Sequence, residues 1–278
     1  VLDLKIVKDL DSPFFEEIAK DSQLLISFGS AWMFKKKHID YCKNLINVHC
    51  TNLPQWRGGG FPSWMILAGI NYSSITIHKI DEGIDTGNII YTKKFFFPPG
   101  CKTPLDYKNH IHELSYTCLN KFINDFVSNA NIINEIVQQE DFSSYFPRLN
   151  SDIHACIDWT WNSNDLIKFI DAFDDPYSGA FTNISGKTER IYLKKAYVVE
   201  GECNYHPFQA GIVFRKEENG IYICTNGGAI YCQSVLNFNG NNVIDNISTG
   251  DRLYSKYDDL EKARSTKTIY TSKGRINR

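Results

Sequence analysis

Residues 45–90 limit what this chain can fold into more than any other stretch. A short apolar run, Leu45-Ile46-Asn47-Val48, ends at His49. A loop dense in turn formers follows, Leu53-Pro54-Gln55-Trp56-Arg57-Gly58-Gly59-Gly60, and then a predicted helix over 63–68. A second run, Ser74-Ile75-Thr76-Ile77-His78, feeds the loop Asp81-Glu82-Gly83-Ile84-Asp85-Thr86-Gly87, and a third covers 88–97. Apolar runs of strand length alternating with short helices imply an α/β sheet, mostly parallel, with right-handed crossovers. Such sheets place their chemistry in the loops beside strand ends, where both of these loops fall.

The flanks fit the same layout. Leu4, Ile6 and Val7 read as a strand, Ser12-Pro13 starts a helix over 14–19, and Leu24–Gly29 reads as a strand covered on both faces. A short helix is expected around 36–42. Apolar residues at Ile111, Leu114, Cys118, Leu119, Phe122, Ile123 and Phe126 predict one long amphipathic helix over 105–127. Periodicity is lost at 128–150, taken as a linker. A helix over 164–173 is then followed by short β-like runs near 180–182, 190–199, 211–214, 221–225, 229–235 and 243–244, the pattern of a small barrel or sandwich. The expected division is a catalytic domain at 1–127, a linker at 128–150, a β-rich domain at 151–254 and a charged surface tail at 255–278. The chain starts at Val1 with no initiator methionine and inside an element, so a fragment or an N-terminally trimmed chain is expected.

Composition removes several classes. With 42% apolar and 22% charged residues and a formal net charge of −2, the chain reads as soluble and globular, with no nucleic-acid stripe beyond Lys35-Lys36-Lys37 and Lys194-Lys195. The eight cysteines form no Cys-x-x-Cys pair and no Cys/His cluster of zinc spacing, so no metal and a reducing, cytoplasmic setting are expected. No apolar run approaches membrane-spanning length, so no membrane partner is expected.

Asn47 and His49 are two residues apart, so in an extended chain both side chains face the same way. His49 is suited to moving a proton near neutral pH, Asn47 offers an N–H to a developing oxyanion, and Asp85 can orient His49 or take a proton. No Ser or Cys nucleophile sits in a recognisable elbow. The set therefore suits transfer to an outside nucleophile without a covalent intermediate. Taken alone, a strand-end histidine is more often structural, and an Asp before Thr-Gly is ordinarily a turn residue.

Asn47-Val48-His49, then Leu53-Pro54, then Trp56-Arg57-Gly58 resembles the first signature of the tetrahydrofolate-dependent formyltransferases, the methionyl-tRNA formyltransferase-like family. Thr76-Ile77-His78 followed by Asp81–Ile89 resembles the second. In the C-terminal half, Tyr145–Arg148, Ile157-Asp158-Trp159, Ala172–Ala180 and Gly250–Leu253 resemble the second domain of that family. The resemblance covers roughly residues 20–254. It implies a Rossmann-like catalytic domain with an OB-like C-terminal domain, N10-formyltetrahydrofolate as donor, and Asn47, His49 and Asp85 as the catalytic residues. It places the donor against Phe28, Gly29, Ser30, Trp32, Met33, Asp81, Glu82, Gly83 and Ile84. Trp56, Arg57, Gly58, Gly59 and His78 would hold the acceptor.

Within that family the Arg57–Gly60 loop, Phe173–Tyr177 and Tyr205–Phe208 resemble the enzymes that formylate nucleotide-linked amino sugars for surface polysaccharides such as lipopolysaccharide or O-antigen. The expected partners are a small-molecule acceptor and a second copy in a homodimer. A methionyl-tRNA formyltransferase is the alternative, disfavoured by the acidic balance because phosphate contacts dominate tRNA binding. A non-catalytic family member acting as a binding module is the alternative of a different class.

Overall fold

The computed structural model describes residues 9–128 and 134–278, so the strand expected at Leu4–Val7 lies outside the described residues. Helix α1 (Pro13–Asp21) starts where Ser12 Oγ accepts the Phe15 N–H at 3.2 Å. Strand β1 (Leu25–Phe28), helix α2 (Lys36–Ile39), strand β2 (Leu45–His49), the two-residue β3 (Arg57–Gly58), helix α3 (Ser63–Leu67), β4 (Tyr72–Lys79) and β5 (Ile89–Phe96) complete the first layer. Helix α4 (Pro104–Ser128) covers the sheet, burying Tyr107, Ile111, Ser115, Cys118 and Phe122 at three- and four-residue steps.

The four-stranded sheet runs β1-β2-β4-β5. Its β1–β2 pair is parallel as expected, but β2–β4 and β4–β5 are antiparallel, a correction to the strand directions within the α/β class. A parallel crossover needs a helix that carries the chain back along the strand. The segment between β2 and β4 spends its length on the Pro/Gly loop and on α3, only about 7.5 Å long at 1.5 Å per residue. The chain therefore re-enters the sheet from the end it left. A second correction concerns β1: it is an edge strand among the described residues, with Ile26 and Phe28 exposed, not a strand covered on both faces.

The expected linker is structured along the residues described. Strand β6 (Tyr145–Phe146) pairs in parallel with β3, and the Trp56 ring stacks on Phe146 at 4.5 Å. Helices α5 (Ser151–His154) and α6 (Ser163–Ala172) precede strands β7 (Ala180–Ile184), β8 (Arg190–Val199), β9 (Val213–Glu217), β10 (Gly220–Thr225), β11 (Gly228–Leu236) and β12 (Leu253–Tyr254). These form one antiparallel sheet, ordered β12-β7-β8-β11-β10-β9. Its two edges meet where Leu253 N–H donates to Gly211 C=O at 2.7 Å and Val213 N–H to Asp251 C=O at 2.8 Å. A Cβ on Gly211 would lie 2.1 Å from the Leu253 oxygen, so only glycine permits that closure. The run expected as a strand at 243–244 is instead a 3-10 turn at Ile244–Asn246 with Ile244 buried. One continuous core joins the sheets, running from Ile46, Val48, Ile75 and Ile77 through Met65 and Ile66 to Leu166, Ile170 and the barrel interior.

The expected surface tail is also corrected. It forms helix α7 (Tyr257–Ser265) and a hairpin, β13 (Thr268–Thr271) and β14 (Gly274–Asn277). The hairpin returns to the first domain: Thr271 bridges Trp32, Thr268 bridges Arg148, and Ser272 Oγ donates to Asp11 at 2.8 Å. Arg264 pairs with buried Asp158 at 2.6 Å, so the charges of the segment are anchors as well as solvated groups.

Candidate active site

Strand β2 alternates buried Leu45, Ile46 and Val48 with half-buried Asn47 and His49, so the two polar side chains share one face, as their spacing requires. Across the sheet Asn47 lies opposite His78. The third element is the 80–88 loop. A Cβ on Gly87 would sit 1.9 Å from the Lys79 carbonyl oxygen, so the loop can turn this tightly only with glycine there. The turn holds Asp85 at φ +56°, a left-handed conformation that Asp tolerates better than most residues.

Asp85 is the hub. Its Oδ2 accepts the Gly58 N–H at 2.8 Å and lies 3.6 Å from His49 Nδ1. Its Oδ1 lies 3.3 Å from both Asn47 Nδ2 and His78 Nε2. His78 Nδ1 donates to the Lys79 carbonyl at 2.7 Å, and its Nε2 lies between Asn47 Nδ2, at 3.1 Å, and the Asp85 carboxylate. His49 Nε2 donates to the Trp56 carbonyl at 2.8 Å, and Thr51 Oγ1 donates to the same oxygen at 2.7 Å. His49 therefore turns its Nδ1 toward the hub. Burial alone would push the Asp85 carboxyl up. The charge of His49, the bond and charge of His78 and the Gly58 N–H together outweigh it and hold the group well below the usual carboxylate range. Cys50 borders the same space, and burial pushes its thiol up to about 11, so it stays protonated and a poor nucleophile.

These groups line a cleft of about 440 Å³, within the usual range for a small-molecule site. Of the residues expected against a donor, Phe28, Gly29, Ser30, Trp32, Met33, Asp81, Gly83 and Ile84 line it. Glu82 does not: its carboxylate accepts the Lys36 N–H at 3.1 Å on the outside of the loop. Of those expected against an acceptor, Gly58, Gly59 and His78 line the cleft. Trp56 and Arg57 do not. Trp56 is taken up by Phe146, and Arg57, 5% exposed, donates to Gln138 Oε1 at 3.1 and 3.0 Å and to the Glu140 carboxylate at 2.9 and 2.7 Å. The cleft also holds residues that sequence reasoning missed. Lys108, Ile111, His112 and Ser115 come from one face of α4, Arg148 from the segment after β6 and Tyr270 from the C-terminal hairpin. The α4 residues carried a signal in their three- and four-residue spacing; Arg148 and Tyr270 carried none. Among the described residues no group of three or more His, Cys, Asp or Glu could hold a metal ion, and no helix is long and apolar enough to cross a membrane.

An α/β sheet carrying an amide, two imidazoles and a carboxylate in one cleft, joined to a small antiparallel barrel, defines a two-domain group-transfer protein. A model described as formyl transferase matches residues 31–123, and one described as formyl transferase, C-terminal domain, matches 151–245; the chain belongs to the formyl transferase family. It is similar to the methionyl-tRNA formyltransferase of Agathobacter rectalis, 24% identical over 230 residues that cover 82% of this chain and 70% of that protein. Among solved structures it is similar to WlaRD, a sugar 3N-formyl transferase determined in the presence of dTDP and 5-N-formyl-THF, with a TM-score of 0.59 and 26% identity over 78% of this chain and 75% of that one. HypX from Aquifex aeolicus shares the fold with a TM-score of 0.61 and 18% identity over 81% of this chain, which spans 38% of HypX.

Proposed function

We propose that this chain transfers a formyl group from N10-formyltetrahydrofolate to the amine of a nucleotide-linked amino sugar destined for a surface polysaccharide. The observation that carries the reading is the convergence of Asn47, His49 and Asp85 on one wall of a cleft without a thiolate or activated serine. Such a site favours direct attack by an outside amine over a covalent enzyme intermediate. The likeness to WlaRD, solved with a folate and a nucleoside diphosphate, supports both the donor and the acceptor class.

In this reading the neutral acceptor amine attacks the formyl carbon, forming a C–N bond and a tetrahedral oxyanion. Asn47 and a protonated His49 stabilise that oxyanion. The carboxylate of Asp85 faces His49 and offsets its charge, and it accepts the amine proton directly or through water. Collapse of the intermediate breaks the bond to N10, which takes up the proton that Asp85 had received, and releases the formamide. Phe28, Trp32, Met33 and Ile84 supply apolar surface for a pterin, and the Gly58-Gly59 backbone and His78 face the acceptor side.

A second reading rests on the curated relatives, which include methionyl-tRNA formyltransferases. The net charge of −2 argues against it, because tRNA binding draws its main affinity from concentrated positive charge. The test is incubation with formyl-folate and a panel of nucleotide-linked amino sugars, followed by mass spectrometry for one added formyl group. Filter binding to initiator tRNA at low salt runs beside it. Formylated sugar is expected. Sub-micromolar tRNA binding that weakens steeply with salt, without sugar product, would select the second reading; donor binding without transfer to either acceptor would point to a binding module.

A further inference from the structure

Asp85 makes its chemistry from a backbone conformation that the loop alone does not secure, and a buried side chain from outside both signature loops secures it. Gln138, 7% exposed, donates from Nε2 to the Asp85 carbonyl at 2.8 Å and to the Gly87 carbonyl at 2.7 Å. Its Oε1 accepts two N–H groups of Arg57 at 3.1 and 3.0 Å. The next residue along, Gly58, donates its N–H to the Asp85 carboxylate. One amide thus ties the Asp85 main chain to the same backbone segment that holds the Asp85 side chain. Arg57 also pairs with Glu140, but that carboxylate is 69% exposed and screened, whereas the Gln138 bonds are dry and all its hydrogen-bonding capacity within the site is used.

We propose that Gln138 is a positioning residue for the proposed transfer: it clamps the Asp85–Gly87 turn against the Arg57-Gly58 segment and so fixes the Asp85 carboxylate relative to His49 and Asn47. The proposal rests on the reading above for its kinetic consequence only; its structural consequence stands by itself. Gln138→Glu separates the two halves of the clamp. A carboxylate still accepts from Arg57, so the buried group keeps a cationic partner, but it has no N–H for the two loop carbonyls and repels them. Gln138→Met keeps the shape and removes both halves. Gln139→Glu adds the same charge one residue away on an exposed side chain and is the control.

Two measurements decide. Hydrogen exchange at the Gly58 amide needs no substrate. Its protection should fall in Gln138→Glu and Gln138→Met and hold in Gln139→Glu, while the β10 and β11 amides of the barrel keep wild-type protection. Steady-state kinetics should show kcat reduced roughly tenfold or more with the donor KM within about twofold, since displacing a reacting group by about an ångström costs up to a hundredfold. Unchanged Gly58 protection in both Gln138 variants would overturn the proposal. So would protection lost equally across the barrel, which marks a global structural role, or wild-type kcat despite lost Gly58 protection. If wild-type protein transfers formyl to no acceptor, the proposed function fails and the exchange experiment alone judges the clamp.

Discussion

Asp85 shows how much one residue carries here. With the carboxyl held well below the usual range, it stays ionised throughout pH 5–8, so any limb of the activity profile in that window belongs to another group. A depressed folded-state value means that its stabilising contribution is present above the unfolded value of about 3.9 and is lost as pH falls through the folded one. Asp85→Asn should therefore lower Tm at pH 7, and the gap to wild type should narrow below about pH 4; calorimetry at both pH values checks this. His49→Ala should lower kcat roughly a hundredfold or more, the usual weight of an acid–base or oxyanion group. The fold should survive, because Thr51 still satisfies the Trp56 carbonyl; near-normal turnover would remove His49 from the chemistry. That Asn47 and His49 share a face was legible from a period of two, whereas Asp85 stood out only through its place in the second signature, since an Asp before Thr-Gly is ordinarily a turn residue. Arg57 was misread because its partner, Gln138, is 81 positions downstream in a segment without periodicity, and no local pattern encodes such a pair.

At the scale of elements, α4 and α6 were legible from stripes of apolar residues at three- and four-residue steps, and β4 from its continuous run, buried from Ser73 to His78. Strand direction was not legible, since composition says that a run is a strand but not from which end the chain re-enters the sheet. Helix α6 carries a second titrating carboxyl outside the site. Burial, with Asp174 and Asp106 adding to it and Lys102 opposing, pushes Asp171 up to about 7. The folded chain then binds a proton that the unfolded chain has lost between about pH 4 and pH 7, so stability falls as pH rises through that window. Asp171→Asn should raise Tm by about 2–4 °C at pH 8, for a discounted gain on the order of 1 kcal/mol, and by nothing measurable at pH 4. An equal gain at both pH values would mean that the effect is one of packing and not of charge.

Across the whole molecule, the cleft is closed by segments from far apart in the chain, and its C-terminal part could not be read in advance. The hairpin has four residues in each strand with Thr, Arg, Asn and Gly among them, and its apolar residues, Ile269, Tyr270 and Ile276, are too few to set a period. Its place comes from long-range bonds to Trp32, Arg148 and Asp11, and those bonds bring Tyr270 to the cleft beside the wall formed by Trp32 and Met33. Arg148 lines the same cleft, so two residues from outside the sheet meet at it. If this wall takes the donor, Tyr270→Ala should raise the donor KM about three- to tenfold, the weight of one aromatic contact of about 1 kcal/mol, and leave kcat within about twofold. Removing residues 267–278 should raise KM further, because the anchor on Trp32 goes as well. Initial rates over a range of formyl-folate concentrations separate the two parameters. A Tyr270→Ala protein with unchanged KM and strongly reduced kcat would place the hairpin in the chemistry instead of in donor binding.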